Sequence, residues 1–156
     1  VHVNAANIYQ QVKGEAERAL GFDPGPLLEN LQVIPRDQKM VRMLVYFSAY
    51  AARTAFSRHA GRIRYLYGPS GRQMVASGKD LSSVRTVIGT GGALTRLPEG
   101  EHALRGLLGQ GPGRELYPKD AAVLLDTRYI MASCGVLSRE YPEEAREILL
   151  RSLESR

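Results

Sequence analysis

At 156 residues, 44% of them hydrophobic, the chain can bury a core as one domain, or as one domain with an N-terminal arm. No apolar run reaches the roughly 20 residues that a helix needs to cross a bilayer. The lone Cys134 excludes an internal disulfide framework and fits a reducing, cytoplasmic compartment.

A net charge of +5 permits contact with phosphates or nucleic acid without demanding it. Tryptophan is absent and the tyrosines are dispersed, so no row of stacking platforms supports a single-strand binder. The chain opens at Val1, and Val1–Gln11 carries neither a basic leader nor an apolar targeting segment. It reads as a piece of a longer chain. Residues 1–37 are expected to form an N-terminal arm or partial subdomain, and residues 38–156 the body.

The first 21 residues have helix-forming content around Ile8–Leu20, with a weak apolar stripe. Pro24, Gly25, Pro26 and Pro35 forbid a long element through residues 22–36, leaving one short turn in which Leu27, Leu28 and Leu31 pack on the body. The strongest helix is Gln38–Ala60. Its inward positions are Met40, Leu44, Phe47, Ala51 and Ala55; Asp37 is placed to cap its start, and Gly61 to supply a left-handed residue at its end.

Two short strands follow, about 62–67 and 72–77, joined by Gly68-Pro69-Ser70-Gly71. Ile63, Tyr65 and Tyr67 alternate as in a half-buried strand. A buried strand is expected over Val84–Ile88, running into the glycine turn Gly89-Thr90-Gly91-Gly92. Beyond it come a helix at Glu101–Leu108 with Leu104, Leu107 and Leu108 inward, and a loop at Gly109–Gly113. A buried strand at Ala121–Leu125 leads to a helix at Thr127–Glu140 capped by Asp126, and Pro142 starts a final helix. The order of long helix, hairpin, then strand, helix, strand, helix is that of an α/β domain.

The glycine turn is the leading candidate for chemistry. Glycines after a β-branched strand allow positive φ and let backbone N–H groups approach a nucleotide closely. The same pattern also serves a plain strand-to-loop connection. It is no dinucleotide fingerprint, because Leu94 stands where a third glycine is required, and no phosphate-loop lysine motif occurs. Arg96 lies within reach of a base or phosphate, or is simply a surface arginine. Arg53, Arg58, His59, Arg62 and Arg64 cluster near the end of the long helix, either to meet an acidic partner or to balance its dipole.

The three histidines are scattered, without metal-ligand spacing. Cys134 sits among small residues as a helix-packing group, and no carboxylate pair is spaced for acid–base work. Neither a metal site nor a catalytic residue is assigned.

Several segments together resemble the glutamate mutase MutL family, actin/Hsp70-like ATPase proteins associated with adenosylcobalamin-dependent mutases and aminomutases. They are Arg58-His59-Ala60-Gly61, Gly78-Lys79-Asp80-Leu81, Val87–Leu94, Asp126–Leu137 and Tyr141-Pro142-Glu143. The resemblance runs from about Arg58 to the C-terminus and is faint before Asp37. It implies part of an actin/Hsp70-like (ribonuclease H-like) ATPase lobe and a role in an ATP-dependent reactivating chaperone, which releases damaged cobalamin from a mutase.

In that superfamily the late strand–Gly-Gly–helix element contacts adenosine. Hsp70-type chains place Thr-Arg-hydrophobic-Pro close behind Gly-Gly; here Thr95-Arg96-Leu97-Pro98 follows Gly91-Gly92 with one extra residue between. The resemblance therefore assigns nucleotide contacts to Gly89, Thr90, Gly91, Gly92, Ala93 and Arg96. The two early phosphate motifs, each an Asp with glycines and threonines, are absent from these 156 residues. Magnesium and most phosphate contacts would come from other sequence, and this stretch alone is not expected to hydrolyse ATP. Two readings from other classes remain: an interaction module that docks the mutase without nucleotide, and a basic nucleic-acid-binding domain.

Overall fold

The computed structural model describes residues 4–32, 35–69, 71–97, 99–109 and 114–153. The described elements are seven helices and four strands of a mixed α/β unit, with two hydrophobic clusters lying against opposite ends of one helix.

Helix α1 (Ala5–Leu20) starts where the Asn4 side chain accepts the Asn7 N–H at 2.8 Å, and it bends at Val12. Its stripe is stronger than its composition implies. Ile8, Val12, Ala16 and Leu20, each four residues apart, are all buried. They meet Met40, Met43 and Phe47 of α3 (Gln38–His59) to form the first cluster. Helix α2 (Gly25–Glu29) brings Leu27 and Leu28 against this cluster, whereas Leu31 is half exposed and takes no part.

Asp37 caps α3 by accepting the Lys39 N–H at 3.1 Å. The helix ends on an extended Ala60, so Gly61 is not a left-handed cap. A Cβ at Gly61 would meet the backbone of residues 77–79 at 2.8–2.9 Å, so the residue permits close passage of two backbones.

Strands β1 (Arg62–Gly68) and β2 (Gly71–Ser77) form an antiparallel hairpin, with Tyr65 opposite Met74 and Gly68 opposite Gly71. Ser70 of the expected turn lies outside the described residues. The expected alternation holds for Ile63 and Tyr65 but fails at Tyr67, which is 80% exposed next to the hairpin turn.

Strand β3 (Thr86–Gly89) pairs in parallel with β4 (Ala122–Leu125), Val87 beside Val123 and Gly89 beside Leu125. Of these two, β4 is the buried one. Val123 and Leu125 are almost fully enclosed, whereas Ile88 of β3 is 38% exposed, contrary to the buried strand expected there. The two sheets are separate and two-stranded.

Between β3 and β4 lie α4 (Gly92–Thr95), a single turn that the sequence pattern does not announce, and α5 (Gly100–Arg105). Leu104 and Leu107 join Val123 and Leu125 in the second cluster, against Ala52 and Phe56 of α3. Residues 110–113 of the expected loop lie outside the described residues. Helix α6 (Met131–Leu137) buries Cys134, and α7 (Pro142–Ser152) buries Ala145 and Ser152 and leaves Ile148 exposed. Among the described residues no helix is long and apolar enough to cross a membrane.

Candidate functional site: the glycine turn and the hollow face of α3

The ends of β3 and β4 are tied side by side. The Asp126 N–H donates to the Gly89 carbonyl at 2.9 Å. The buried Asp126 carboxylate accepts the Ile130 N–H at 3.0 Å, the Met131 N–H at 3.2 Å and the Thr90 hydroxyl at 3.2 Å. Asp126 thus caps the following helix as expected, yet that helix begins only at Met131. The delay is explained by Tyr129, whose φ of 57° places a non-glycine residue in the left-handed region.

The turn itself is set at Gly91, with φ 93° and ψ 150°. A side chain is strained there by roughly 1–3 kcal/mol, so glycine is required. The Gly91 carbonyl accepts the N–H groups of Leu94 and Thr95 and the Thr95 hydroxyl, all at 3.0 Å. The buried Thr95 hydroxyl also lies 2.8 Å from the Tyr129 hydroxyl, so its one proton is shared between the Gly91 carbonyl and the phenol oxygen. A chain of contacts therefore fixes the turn from below: Gly91, Thr95, Tyr129, and through the backbone Asp126. The bond to Thr95, followed by interaction with Arg96, holds the Tyr129 phenol below the ordinary tyrosine pKa.

Above the turn is a cavity of about 440 Å³. One wall is Thr90, Gly91, Gly92, Ala93 and Leu94, and the other is Ser48, Ala51, Ala52 and Ala55 of α3. The lining is small and mostly apolar, and its volume is in the range typical of small-molecule sites.

Of the residues expected to meet a nucleotide, Thr90, Gly91, Gly92 and Ala93 share this wall. Gly89 does not. A Cβ there would meet Leu104 Cδ1 at 2.5 Å and Leu125 Cδ2 at 2.9 Å, so it serves the packing beneath. Arg96 is exposed and absent from the lining, with its guanidinium carbon 5.3 Å from the centre of the Tyr129 ring. The basic cluster is also elsewhere: Arg62 bonds Ser57 at 3.1 Å and pairs with Glu115 at 3.4 Å. Among the described residues no group of three or more His, Cys, Asp and Glu could hold a metal.

Sequence reasoning missed two contributors. The α3 wall is one: the helical spacing marks Ala51 and Ala55 as inward core positions and assigns Ser48 and Ala52 no role, although small residues at 48, 51, 52 and 55 are a legible signal for a gap on one helical face. Tyr129 had no signal of its own.

The fold and cavity define a mixed α/β unit in which a strand, a glycine turn and a one-turn helix face a long helix across an apolar gap. A model of the MutL protein family matches residues 1–153, and the chain belongs to that family. It is similar to Protein MutL of Clostridium tetanomorphum, 29% identical over 126 residues that cover 80% of this chain and 27% of that protein. The chain thus spans about a quarter of the length of that curated relative. No solved structure matches it.

Proposed function

We propose that this chain is the C-terminal part of an ATP-dependent reactivating chaperone for a cobalamin-dependent mutase, supplying the adenosine side of a nucleotide cleft in an actin/Hsp70-like lobe. The observation that carries the reading is the cavity between Thr90–Leu94 and the small residues of α3. A purine is flat and largely apolar on its faces, and a slot of alanine and glycine backbone admits it without side-chain rearrangement. Membership of the MutL family directs the reading to glutamate mutase or a related mutase or aminomutase.

The fit is to the base and ribose. Thr90, Gly91, Gly92 and Ala93 would line one side of the adenosine, and Ala51, Ala52 and Ala55 the other. Hydrolysis and magnesium binding are assigned to sequence outside these 156 residues. Arg96, held against Tyr129, sits at the rim of the turn rather than over the slot.

The test is calorimetric titration of ATP into the full-length protein that contains this chain, together with an Ala55→Phe variant. Binding that is lost in the variant is the expected result, with fluorescence or cofactor-exchange assays on the mutase reporting reactivation. An absence of ATP binding by the parent protein overturns the reading. If mutase association persisted in that case, the chain would be a docking module that uses no nucleotide.

A further inference from the structure

A second cavity, of about 310 Å³, shares no described lining residue with the first. It lies where residues 114–118 run beside β1, and its walls include Ile63, Ser82, Arg114, Glu115, Tyr117 and Lys119. Backbone hydrogen bonds frame it. The Ile63 N–H donates to the Arg114 carbonyl and the Leu116 N–H to the Gly61 carbonyl, both at 2.8 Å. The Leu81 N–H donates to the Leu116 carbonyl at 2.9 Å, and the Gly109 N–H to the Pro118 carbonyl at 2.8 Å. Tyr117 is fixed edge-on against Phe56, with ring centres 6.0 Å apart. Walls tied in this way hold their shape before a ligand arrives, which lowers the cost of binding.

Glu115 is the anomaly in this lining. Its side chain is only 7% exposed, and its Oε1 faces the Arg62 Nε at 3.4 Å, beyond ordinary hydrogen-bond length. The enclosed Oε2 has no hydrogen-bond partner among the described residues. A buried carboxylate oxygen without a donor loses its hydration and gains nothing in return, so folded proteins keep few of them. The carboxylate turns about a broad terminal torsion, so a donor inside the cavity can reach an oxygen that is now enclosed. The cations of the lining are uncommitted as well. Among the described residues no ion pair engages Arg114 or Lys119. Lys119 acts on Asp80 only at longer range, and the Arg114 guanidinium carbon lies 5.2 Å from the centre of the Tyr65 ring.

We propose that this cavity binds a small zwitterion, of which a free α-amino acid is the simplest. Its ammonium group supplies the donor that Glu115 lacks, and its carboxylate meets Lys119 and Arg114. Ile63 and Tyr117 give its side chain an apolar wall. A simple anion would leave Glu115 without a donor and add a second negative charge beside it. A simple cation would leave the lysine and arginine unmatched. A metal ion is disfavoured, because Glu115 is the one carboxylate in the described lining. The inference is independent of nucleotide binding, which concerns the other cavity.

The test is saturation-transfer NMR on the full-length protein that contains this chain, with L-alanine, L-leucine and L-glutamine as probes. For the tightest binder, three relatives are compared: the amine without the carboxylate, the acid without the amino group, and the N-trimethyl derivative. At least one amino acid is expected to bind, and each relative to bind at least about tenfold more weakly. Glu115→Gln and Lys119→Ala should each weaken binding by a similar factor, with an unchanged circular dichroism spectrum. Excess ATP should leave it unaltered.

An absence of saturation transfer to all three amino acids overturns the proposal. So does equal binding by any of the relatives, which would make the cavity a plain anion or cation site. Displacement by ATP would place the amino acid in the other cavity and overturn it too. If Glu115→Gln did not fold, the series of relatives on the parent protein would still decide.

Discussion

The two ends of α3 are built from different materials. Its N-terminal half buries Met40, Met43 and Phe47, which fill the space against α1, with Phe47 stacking edge-on against Tyr46 at 5.8 Å. Its C-terminal half faces the glycine turn with Ser48, Ala51, Ala52 and Ala55, and a cavity remains. One helix thus fills a core at one end, while at the other it both joins the second cluster through Ala52 and Phe56 and lines a cavity. The difference lies in side-chain volume rather than in polarity, and small residues leave room where large ones would close it.

Emptying the filled end tests the contrast most severely. Phe47→Ala is expected to lower unfolding free energy by about 3–5 kcal/mol, read by urea denaturation, because Phe47 is 2% exposed in a dense cluster. A loss below about 1 kcal/mol would mean that the α1–α3 contact is not a packed core.

At the hollow end, Gly91→Ala is expected to cost about 1–3 kcal/mol through backbone strain alone, since open space surrounds the position that a Cβ would take. The same denaturation curves measure it, and a neutral outcome would show that the turn relaxes. Filling the cavity should separate stability from ligand binding. Ala55→Phe is expected to change stability by less than about 1 kcal/mol, since the position is exposed, while removing any adenosine binding.

The smallest effects are in titration. In an alkaline titration followed by tyrosinate absorbance, Tyr129 should ionise below the ordinary tyrosine pKa, and Tyr129→Phe should delete that step. Tyr9 should ionise late, because its one hydroxyl proton is shared between the Asp23 carboxylate at 2.7 Å and the Glu17 carboxylate at 2.9 Å. Asp23 is in turn held below the ordinary carboxylate pKa, first by Tyr9 and then by the Gly25 N–H. A depressed carboxylate contributes stability that is fully present above its unfolded pKa of about 3.9 and is lost as pH falls through the folded value. Tyr9→Phe should therefore raise the Asp23 midpoint, as followed by carboxyl resonances in NMR.

Much of the α3–hairpin–strand order was legible because each element has a local cause. Asp37 caps α3, Pro69 marks the hairpin turn, and Leu104 and Leu107 point inward at helical spacing. The glycine turn was located correctly for the same reason: Gly91 needs its φ whatever surrounds it.

The errors have long-range causes. The burial of α1 depends on α3, which lies beyond the proline-rich segment, and the exposure of Ile88 and Tyr67 depends on what the sheets pack against. Tyr129 is a local exception: it takes a left-handed backbone inside the turn that Asp126 closes by accepting the Ile130 and Met131 amides, with no glycine in the sequence to mark it.

The two-ended build of α3 has a thermodynamic consequence. A ligand lodged between the glycine turn and α3 holds only the folded helix, so it stabilises every element that requires α3 to be intact. At a free concentration one hundred times its dissociation constant, such a ligand adds about 2.7 kcal/mol. Part of that gain would be felt by α1, whose buried residues Val12 and Ala16 face α3 at its other end. Slowed amide exchange along α1 on nucleotide addition would then report occupancy of a cavity that α1 never touches.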